Sequence, residues 1–519
     1  MLRLSSAALV ALLPVAASAA DLRIGLAVPP TAIDPHFHNN GQNNSNSSHI
    51  FEGLTRQDEA QRIKPALAES WRTTDDRTWE FKLRPGVVFH DGSPFTAEDV
   101  AFTLKRAPDV PRSPSSFAGY LKAVADYEVV DPHTIRIRTK GPDPLLPVNL
   151  SKVWIVSAKV GRDATTADYN SGKAMIGTGP YAFAEWATGE RLTLKRNERY
   201  WGEREPWDKV DLRIIPAPAA RVAALLAGDV DLIADVPSTN RADLERNQAV
   251  KVWSGASNRV VFLSMDVASE MPLPGVEAKD GTALAKNPLR DLRVRAALSK
   301  AIDRKAIVER VLEGDGLPAD QLLPAGLFGR SPNLALETPD LEAAKQLLKD
   351  AGYPDGFKLP LYTSHDRVAN AVNVVQTVAQ WWTRLGLQVK VETMPHTIYL
   401  TRAGKTELSA MLHSWGAGTG EASDTLGALV HTVIPTAGFG ASNRGRYSNP
   451  EVDKLIDQAL VTVDDAKREV LLIAATDVAI KDHAVLPLYF STNVWATRKD
   501  LVYKVRADSN TLAMGVRAK

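Results

Sequence analysis

The stretch SWGAGTGEASDT, residues 414–425, carries the residue types in this chain that most suggest binding chemistry. Gly416, Gly418 and Gly420 alternate with other residues, and Glu421 and a hydroxyl-rich tail follow them. Such a loop suits three uses: a phosphate cradle, a catalytic loop, or flexible backbone that lines a pocket. The rest of the sequence discriminates among these uses.

A phosphate-binding loop that serves ATP hydrolysis needs a lysine and a serine or threonine after its glycines. No lysine follows this loop, and the pattern GxxxxGK[ST] occurs nowhere in the chain. The glycine cluster GTGPY at Gly177 also fails, because its proline lacks the N–H that a phosphate would need. We therefore expect the chain to hydrolyse no ATP, so that any transport energy comes from a partner.

Catalytic and metal signatures are equally sparse. The sequence has 0 cysteines, no G-x-S-x-G elbow and no HExxH motif. His36 and His38 lie two residues apart in a polar loop, but no cysteine or acid cluster accompanies them. We predict a protein that is not an enzyme, with no catalytic residue, no metal and no cofactor.

Two other side chains suit the binding of a small organic solute. Arg367 follows a strand in the loop TSHDR, and its guanidinium offers a two-pronged grip on a carboxylate. Trp415 offers an apolar wall, as ligand pockets commonly do. The alternatives are a solvated loop arginine and a core tryptophan, and Asn443 with Arg444 forms a similar, weaker pair.

The elements around these residues alternate between strand and helix. TWEFKLRPGVVF, residues 78–89, predicts a half-buried strand, and Thr96 with Asp99 predicts a capped helix after it. Thr338 is predicted as the N-cap of a further helix. The apolar face from Val368 predicts a helix that ends at Gly386, and the strand LQVKVET follows. This order is typical of an α/β fold.

Two apolar runs flank the helix-rich block that contains Arg367 and Trp415. They are RVVFLSMDV, residues 259–267, and VLPLYFSTNVWAT, residues 485–497. If the block is one lobe, the chain enters it through the first run and leaves through the second, so that two crossing strands border a cleft. The alternative is a pair of ordinary core strands.

The first twenty residues, MLRLSSAALVALLPVAASAA, read as a secretory signal peptide cleaved near Ala20. Removing Arg3 leaves 61 basic residues against 61 acidic ones (62 − 1 = 61). Zero net charge argues against nucleic acid and against an anionic membrane surface as partners. Without a cysteine to carry lipid, the expected product is a free periplasmic protein.

Three blocks, residues 65–107, 176–202 and 287–324, resemble the peptide-type family 5 solute-binding proteins of ATP-binding-cassette (ABC) importers. They include WEFKLRPGVVFHDGSPFTAEDV, IGTGPYAFAEWATGERLTL and NPLRDLRVRAALSKAIDR. The resemblance implies a type II-like periplasmic binding protein with two main lobes joined by two crossing strands, plus an inserted lobe. Lobe I would comprise residues 21–46, 173–257 and 487–519, lobe II residues 47–172, and lobe III residues 258–486.

The resemblance also implies a ligand site between lobes I and III. Peptide receptors of the family carry an aspartate three residues after the tryptophan, where it pairs with the ligand's α-ammonium; here Gly418 takes that place. Glu421 is the nearest replacement and Asp424 the next, although Glu421 also suits a helix N-terminus. The predicted ligand contacts are the two side chains Arg367 and Trp415, the loop residues Gly418, Thr419 and Glu421, and the N-terminal residues Phe37, His38 and Asn39.

The function that the resemblance implies is capture of a peptide-like solute in the periplasm. We expect a monomeric receptor of this kind, which delivers its cargo to inner-membrane permease subunits driven by a cytoplasmic ATPase. Other cargoes stay open because of Gly418: a glutathione-like conjugate, an opine, an oligosaccharide or a metal complex. An enzyme or a chaperone on the same fold is the remote alternative.

Overall fold

The computed structural model describes residues 21–519, so the predicted signal peptide lies outside the described residues. No helix in the described part of the chain is both long enough and apolar enough to cross a membrane. The strands are β1 Asp21–Leu26, β2 Thr55–Gln57, β3 Ile63–Pro65, β4 Ala68–Asp75, β5 Thr78–Leu83, β6 Val124–Asp131, β7 Thr134–Thr139, β8 Tyr181–Ala187, β9 Arg191–Arg196, β10 Lys209–Ile214, β11 Leu232–Ile233, β12 Val250–Met265, β13 Leu317–Pro318, β14 Lys358–Ser364, β15 Gln388–Met394, β16 Ala410–Gly416, β17 Leu486–Arg498, β18 Leu501–Tyr503 and β19 Val516–Ala518. The helices are α1 Gly41–Ile50, α2 Ala97–Arg106, α3 Ala118–Leu121, α4 Leu146–Leu150, α5 Ala158–Gly161, α6 Thr166–Asn170, α7 Pro218–Ala227, α8 Ser238–Arg246, α9 Leu292–Lys300, α10 Arg304–Ala306, α11 Leu341–Asp350, α12 Ala371–Leu385, α13 His396–Gly404, α14 Ala422–Leu429, α15 Pro450–Val461 and α16 Asp465–Lys481.

One mixed sheet of 11 strands runs through both main lobes, in the order β15-β14-β16-β12-β17-β11-β1-β10-β9-β8, with β13 paired to β17. Its centre is the antiparallel pair β12 and β17, the longest strands of the sheet at 16 and 13 residues. Strand β12 pairs with β16 at its C-terminal end, whereas β17 pairs with β11 at its own C-terminal end. These two strands therefore connect the lobes, and the α/β fold with two crossing strands is confirmed.

A bulge interrupts the pairing of β12 with β17 at the crossing. Ala256 pairs with Thr492 and Val260 pairs with Phe490, so residues 257–259 of β12 lie opposite a single residue of β17. Extra residues of this kind bend a strand and re-aim its side chains. The change of direction between the lobes therefore falls at residues 257–259.

The hydrophobic cores follow this division. One cluster joins β1, β9 and β10 to the four-stranded sheet β4-β5-β7-β6 of the insertion, so lobe II shares its core with lobe I. Two other clusters lie on the far side of the crossing: one packs α9 and α12 on β14, and the other packs α14, α15 and α16 together. The limits of the three lobes stay a prediction.

Local sequence signals identified several element ends. Helix α2 begins after Thr96, whose backbone N–H donates to the Asp99 carboxylate at 2.9 Å. Helix α12 ends at Gly386, which adopts φ +114°, a backbone conformation that favours glycine. The helix begins at Ala371 and not at Val368, where the predicted apolar face starts, because Asn370 adopts φ +58°.

The predicted N-cap of α11 is wrong by two residues. Asp340, not Thr338, precedes the first helical residue, and its carboxylate accepts the Ala343 N–H at 3.0 Å. Both side chains are of types that cap helices, but Leu341 is the first apolar residue that packs on the core, and Asp340 directly precedes it. Packing therefore decides between two neighbouring caps.

Candidate functional site

A cavity of about 320 Å³ opens on lobe III beside the crossing strands. Its floor is formed by β12, β14 and β16, and its sides by α13, the end of α14 and two loops. The residues that line it are Arg259, Phe262, Ser364, Arg367, Val368, His396, Tyr399, Leu400, Leu412, His413, Ser414, Trp415, Gly416, Leu429, Ser442 and Arg444. This volume lies at the lower end of the range for small-molecule sites.

Three arginines reach the cavity from three separate segments. Arg259 lies in the β12 bulge and donates to the Ser414 hydroxyl at 3.4 Å. Arg367 is exposed in the loop between β14 and α12. Arg444 follows the buried Asn443, whose amide nitrogen donates to the Tyr447 carbonyl at 2.7 Å and so holds the loop. Asn443 thus positions Arg444, and its own amide group is hydrogen-bonded within the protein.

None of the described residues that line the cavity is an aspartate or a glutamate. Burial lowers the pKa of Arg259 from its ordinary value, and the charge of Arg367 lowers it further. Burial also lowers the pKa of Arg444, with a contribution from the charge of Arg446. All three guanidinium groups nevertheless stay protonated at neutral pH. The cavity therefore carries uncompensated positive charge.

Neutral hydrogen-bonding groups fill the remaining wall. Burial lowers the pKa of His413 to about 3, with further contributions from Arg444 and His396, so its ring is neutral at pH 7. The Tyr399 hydroxyl donates to the Leu412 carbonyl at 2.7 Å, and His396 stacks on the Tyr399 ring at 6.2 Å. These rings add shape and polar contacts without negative charge.

Trp415 lies at the cavity wall, as the sequence predicts, and also packs on a core cluster of lobe III. Its indole Nε1 is buried and has no hydrogen-bond partner among the described residues. An unpaired buried donor is costly in a folded protein. Trp415 thus both lines the cavity and packs on the core, and its role as a ligand contact stays a prediction.

The glycine loop itself closes against the insertion. The carbonyls of Gly418 and Thr419 accept hydrogen bonds from Gln61 and Gln57, at 3.3 and 2.7 Å. Gly420 has φ +79°, and a Cβ there would lie 2.5 Å from the Cβ of Gln61. Gly418 and Thr419 lie outside the lining of the cavity, and their predicted role as ligand contacts stays a prediction.

Glu421 forms a buried ion pair within lobe III. Its carboxylate accepts two hydrogen bonds from Arg468, at 2.8 and 2.7 Å, and a third from the Ser423 hydroxyl. The side chains of Glu421 and Arg468 are 3% and 4% exposed. The guanidinium also lies 4.4 Å from the centre of the Phe328 ring. Glu421 was the first candidate to pair with a ligand ammonium, but in this conformation Arg468 already pairs with its carboxylate.

Asp424, one turn further along, has no ion pair or side-chain hydrogen bond to any described residue. Burial raises the pKa of Asp424 to about 6, and the nearby charge of Glu421 raises it too, whereas Lys122 of lobe II lowers it. Burial raises the pKa of Tyr120, and the charge of Asp424 raises it further. Asp424 thus faces lobe II from lobe III.

The N-terminal segment lies on the opposite side of the cleft. Asn39 lies close enough to Tyr120 to lower its pKa and accepts from the Asn44 amide at 2.9 Å, so it lies on the wall that Asp424 faces. The His38 ring nitrogen Nδ1 is 2.8 Å from the Thr31 hydroxyl. Phe37 lines a different cavity, of about 1150 Å³, against α2 of lobe II. Of the three predicted contacts, Asn39 is the best placed.

His36 belongs to the core of this wall. Its Nε2 lies 2.7 Å from the Trp154 carbonyl and its Nδ1 lies 2.8 Å from Arg106. Burial lowers its pKa to about 3. The two histidines of the His36-x-His38 pattern thus have separate protein partners.

Sequence reasoning missed Arg259, Ser364, Tyr399 and His413 as cavity residues. The one available signal was Arg259, a charged residue at the start of an apolar run, at the predicted crossing between lobes. The others lie within strands or a helix whose faces only the tertiary structure defines.

Comparison with known proteins is consistent across sequence and structure. A family model described as "Bacterial extracellular solute-binding proteins, family 5 Middle" matches residues 62–435. Heme-binding protein A of Haemophilus influenzae is 29% identical over 439 residues, covering 78% of this chain and 75% of that protein. Glutathione-binding protein GsiB of Shigella flexneri is 28% identical over 497 residues, covering 93% of this chain and 91% of that protein. The periplasmic murein tripeptide-binding protein MppA, in its unliganded open form, matches with a TM-score of 0.84 at 24% identity, covering 97% of this chain and 98% of that chain.

Proposed function

Because this chain belongs to the bacterial extracellular solute-binding proteins of family 5, we propose that it captures a peptide-like solute for an ABC importer. The single observation that carries this proposal is the position of the cavity: it lies on lobe III, directly beside the only two strands of the described sheet that pass between the lobes. A solute held there faces the opposite wall across the cleft.

Closure of the cleft would couple capture to delivery. A solute that contacts both walls gains the contacts of the second wall only in the closed state, so it favours closure by that difference in affinity. The bulge at residues 257–259 is the place where the strands can bend. The Asn258 amide spans this region, donating to Gln61 at 3.0 Å and to the Ala417 carbonyl at 3.1 Å.

Charge complementarity supports a solute with both a carboxylate and an ammonium group. Arg367 offers a two-pronged contact for a carboxylate, and Trp415 forms an apolar wall beside it. Asp424 follows Gly418 by six residues in the sequence and supplies a carboxylate without an ion-pair partner among the described residues. We assign the ammonium contact to Asp424 in preference to Glu421, because Arg468 already neutralises Glu421.

The remaining parts of the proposal concern location and partners. We infer export to the periplasm with cleavage near Ala20, action as a monomer, and delivery to permease subunits driven by a cytoplasmic ATPase. The relatives are binding proteins, which supports a receptor in preference to an enzyme. Glutathione and heme occur in the names of relatives, so both belong in a test of cargo.

The test combines melting with solution scattering. Purified mature protein is heated with dipeptides, glutathione, heme and sugar conjugates; a ligand at a hundred times its Kd stabilises the fold by about 2.7 kcal/mol. X-ray scattering should then show a smaller radius of gyration with the solute that raises the melting temperature. An unchanged envelope and unchanged melting with all of these solutes would contradict the receptor function.

The variant Arg367→Ala tests the assigned carboxylate contact. Because a charge-assisted two-pronged contact is lost, we expect Kd to rise by about tenfold or more, with the melting temperature of the protein alone unchanged. Arg384→Ala is the matched control, since Arg384 is an exposed arginine of the same lobe outside the cavity. Equal affinities of the two variants would remove Arg367 from the site.

A further inference from the structure

Arg259 and Arg444 are in excess of what one carboxylate needs. A simple dipeptide brings a single carboxylate, and one guanidinium can donate to both oxygens of that carboxylate. The cavity places three guanidinium groups around about 320 Å³, roughly ten times the share of liquid volume that one water molecule occupies. A solute with one carboxylate would leave most of this charge uncompensated.

Other buried arginines of the chain show that this arrangement is unusual for the protein. Arg468 pairs with Glu421, Arg506 with Asp508, and Arg106 with Asp34, each within 2.8 Å. In contrast, no described carboxylate lies within ion-pairing distance of Arg259, Arg367 or Arg444. The buried Arg221 and Arg295 have no ion-paired carboxylate among the described residues either, but each donates to several backbone carbonyls. The chain thus supplies carboxylates or carbonyls for its structural arginines, whereas the one side-chain hydrogen bond that the three cavity arginines make within the described part of the chain is that from Arg259 to Ser414.

The neutral groups of the cavity also favour an anionic solute. The hydroxyls of Ser364, Ser414 and Ser442 line it and can donate to an anion. A wall of cations and donors suits a solute whose inserted end consists of acceptors.

We propose that the cargo carries at least two anionic groups at the end that enters lobe III, and that Arg259 and Arg444 form a second anion subsite beside Arg367. The inference rests on the proposed receptor function and narrows its cargo to a dicarboxylic or phosphorylated peptide-like solute. Carboxylate and phosphate share the chemistry that a guanidinium recognises, and the test separates them.

Three dipeptide probes share one backbone and differ in the side chain of the C-terminal residue: Gly-Asp with a second carboxylate, glycyl-O-phosphoserine with a phosphate, and Gly-Ala with no second anion. Binding to the mature full-length protein is measured by calorimetry. We expect Gly-Asp or the phosphorylated probe to bind about tenfold or more tightly than Gly-Ala, because an additional charged contact forms. The tighter of the two dianions identifies the natural anion class.

Arg444→Gln and Arg259→Gln then locate the subsite. Each variant should weaken binding of the preferred dianion by about tenfold while changing binding of Gly-Ala by less than about twofold, whereas Arg384→Gln should change neither. Arg444→Lys keeps the charge but loses the forked geometry and should lie between the wild type and Arg444→Gln. Melting of each variant without solute controls for folding, and the two separate arginines keep the test informative if one variant unfolds.

The possible outcomes separate the two proposals. Equal binding of all three probes, or a preferred dianion that neither glutamine variant weakens, overturns the second subsite while capture and closure stand. Failure of both dianions to bind also overturns it, and the wider solute panel with scattering then decides the receptor function alone.

Discussion

Two groups of arginines on lobe III have opposite electrostatic surroundings. Arg468 is buried against Glu421 with two hydrogen bonds, and Ser423 donates to the same carboxylate. Arg259, Arg367 and Arg444 surround a cavity whose described lining has no acid. The difference teaches that a charge neutralised within the fold belongs to stability, whereas a charge that the fold leaves uncompensated is available to a ligand.

The largest expected effect comes from breaking the internal pair. Arg468→Met leaves Glu421 buried without a counter-charge, which costs about 3–5 kcal/mol of unfolding free energy. The double variant Arg468→Met, Glu421→Gln removes both charges and should recover part of this loss. Urea unfolding measures all three proteins. If the single and the double variant lose the same free energy, the pair is not the source of stability that we assign.

Asp424 lies near the internal pair, where the charge of Glu421 acts on it, and gives a pH-dependent effect. Its folded-state pKa of about 6 exceeds the ordinary value of 3.8, so the stability linked to its bound proton is complete below pH 3.8 and is lost as the pH rises through 6. Asp424→Asn cannot ionise and should therefore exceed the wild type by on the order of 2 kcal/mol at pH 8, with the advantage gone at pH 4.

Urea unfolding of wild type and Asp424→Asn across this pH range measures the difference. The neighbouring groups Glu421, Lys122 and Tyr120 are the same in both proteins, so their titration cancels to first order. A constant difference between the two proteins at all pH values would contradict the raised pKa. Asp424→Asn should also weaken the binding of solutes that carry a free ammonium group, because Asp424 is the proposed ammonium contact.

The smallest effect on stability is expected at Gly418, where an added carboxylate would extend the ligand-facing region. A Cβ at Gly418 meets no heavy atom within 4 Å, so Gly418→Asp should change stability by less than about 0.5 kcal/mol. It should improve binding of dipeptides with a free α-ammonium relative to their N-acetylated forms, measured by calorimetry.

Gly420→Ala is the matched contrast. Its positive φ and the 2.5 Å approach of Gln61 predict a loss of about 1–3 kcal/mol. If Gly418→Asp is as destabilising as Gly420→Ala, the loop is not open at Gly418. If Gly418→Asp folds but binds free and N-acetylated dipeptides equally, position 418 does not serve as an ammonium contact in this chain.

Local signals predicted much of the fold because each depends on a few adjacent residues. The Thr96 cap and the end of α12 at Gly386 were visible in the sequence. The two apolar runs alone left crossing strands and ordinary core strands open, and the family resemblance favoured the crossing. The N-cap of α11 was not visible, since Thr338 and Asp340 are both good caps and only packing of Leu341 selects one.

The site was harder to predict because its contacts join distant segments. Arg468 is 47 residues from Glu421 along the chain, so the ion pair that occupies Glu421 had no local signature. Arg259 reaches the cavity through a bulge that shifts the strand register by two residues, and hydrophobic alternation does not reveal such a shift. Arg367 and Trp415 were found because their side-chain chemistry suits a ligand regardless of position.

The pairing of Val260 with Phe490 has a consequence for how such receptors diversify. The segment between these two residues leaves and rejoins the rest of the chain at adjacent points of one sheet. A recombination at these two neighbouring junctions would therefore exchange most of the pocket, apart from Arg259, while the remaining lobes keep their backbone path.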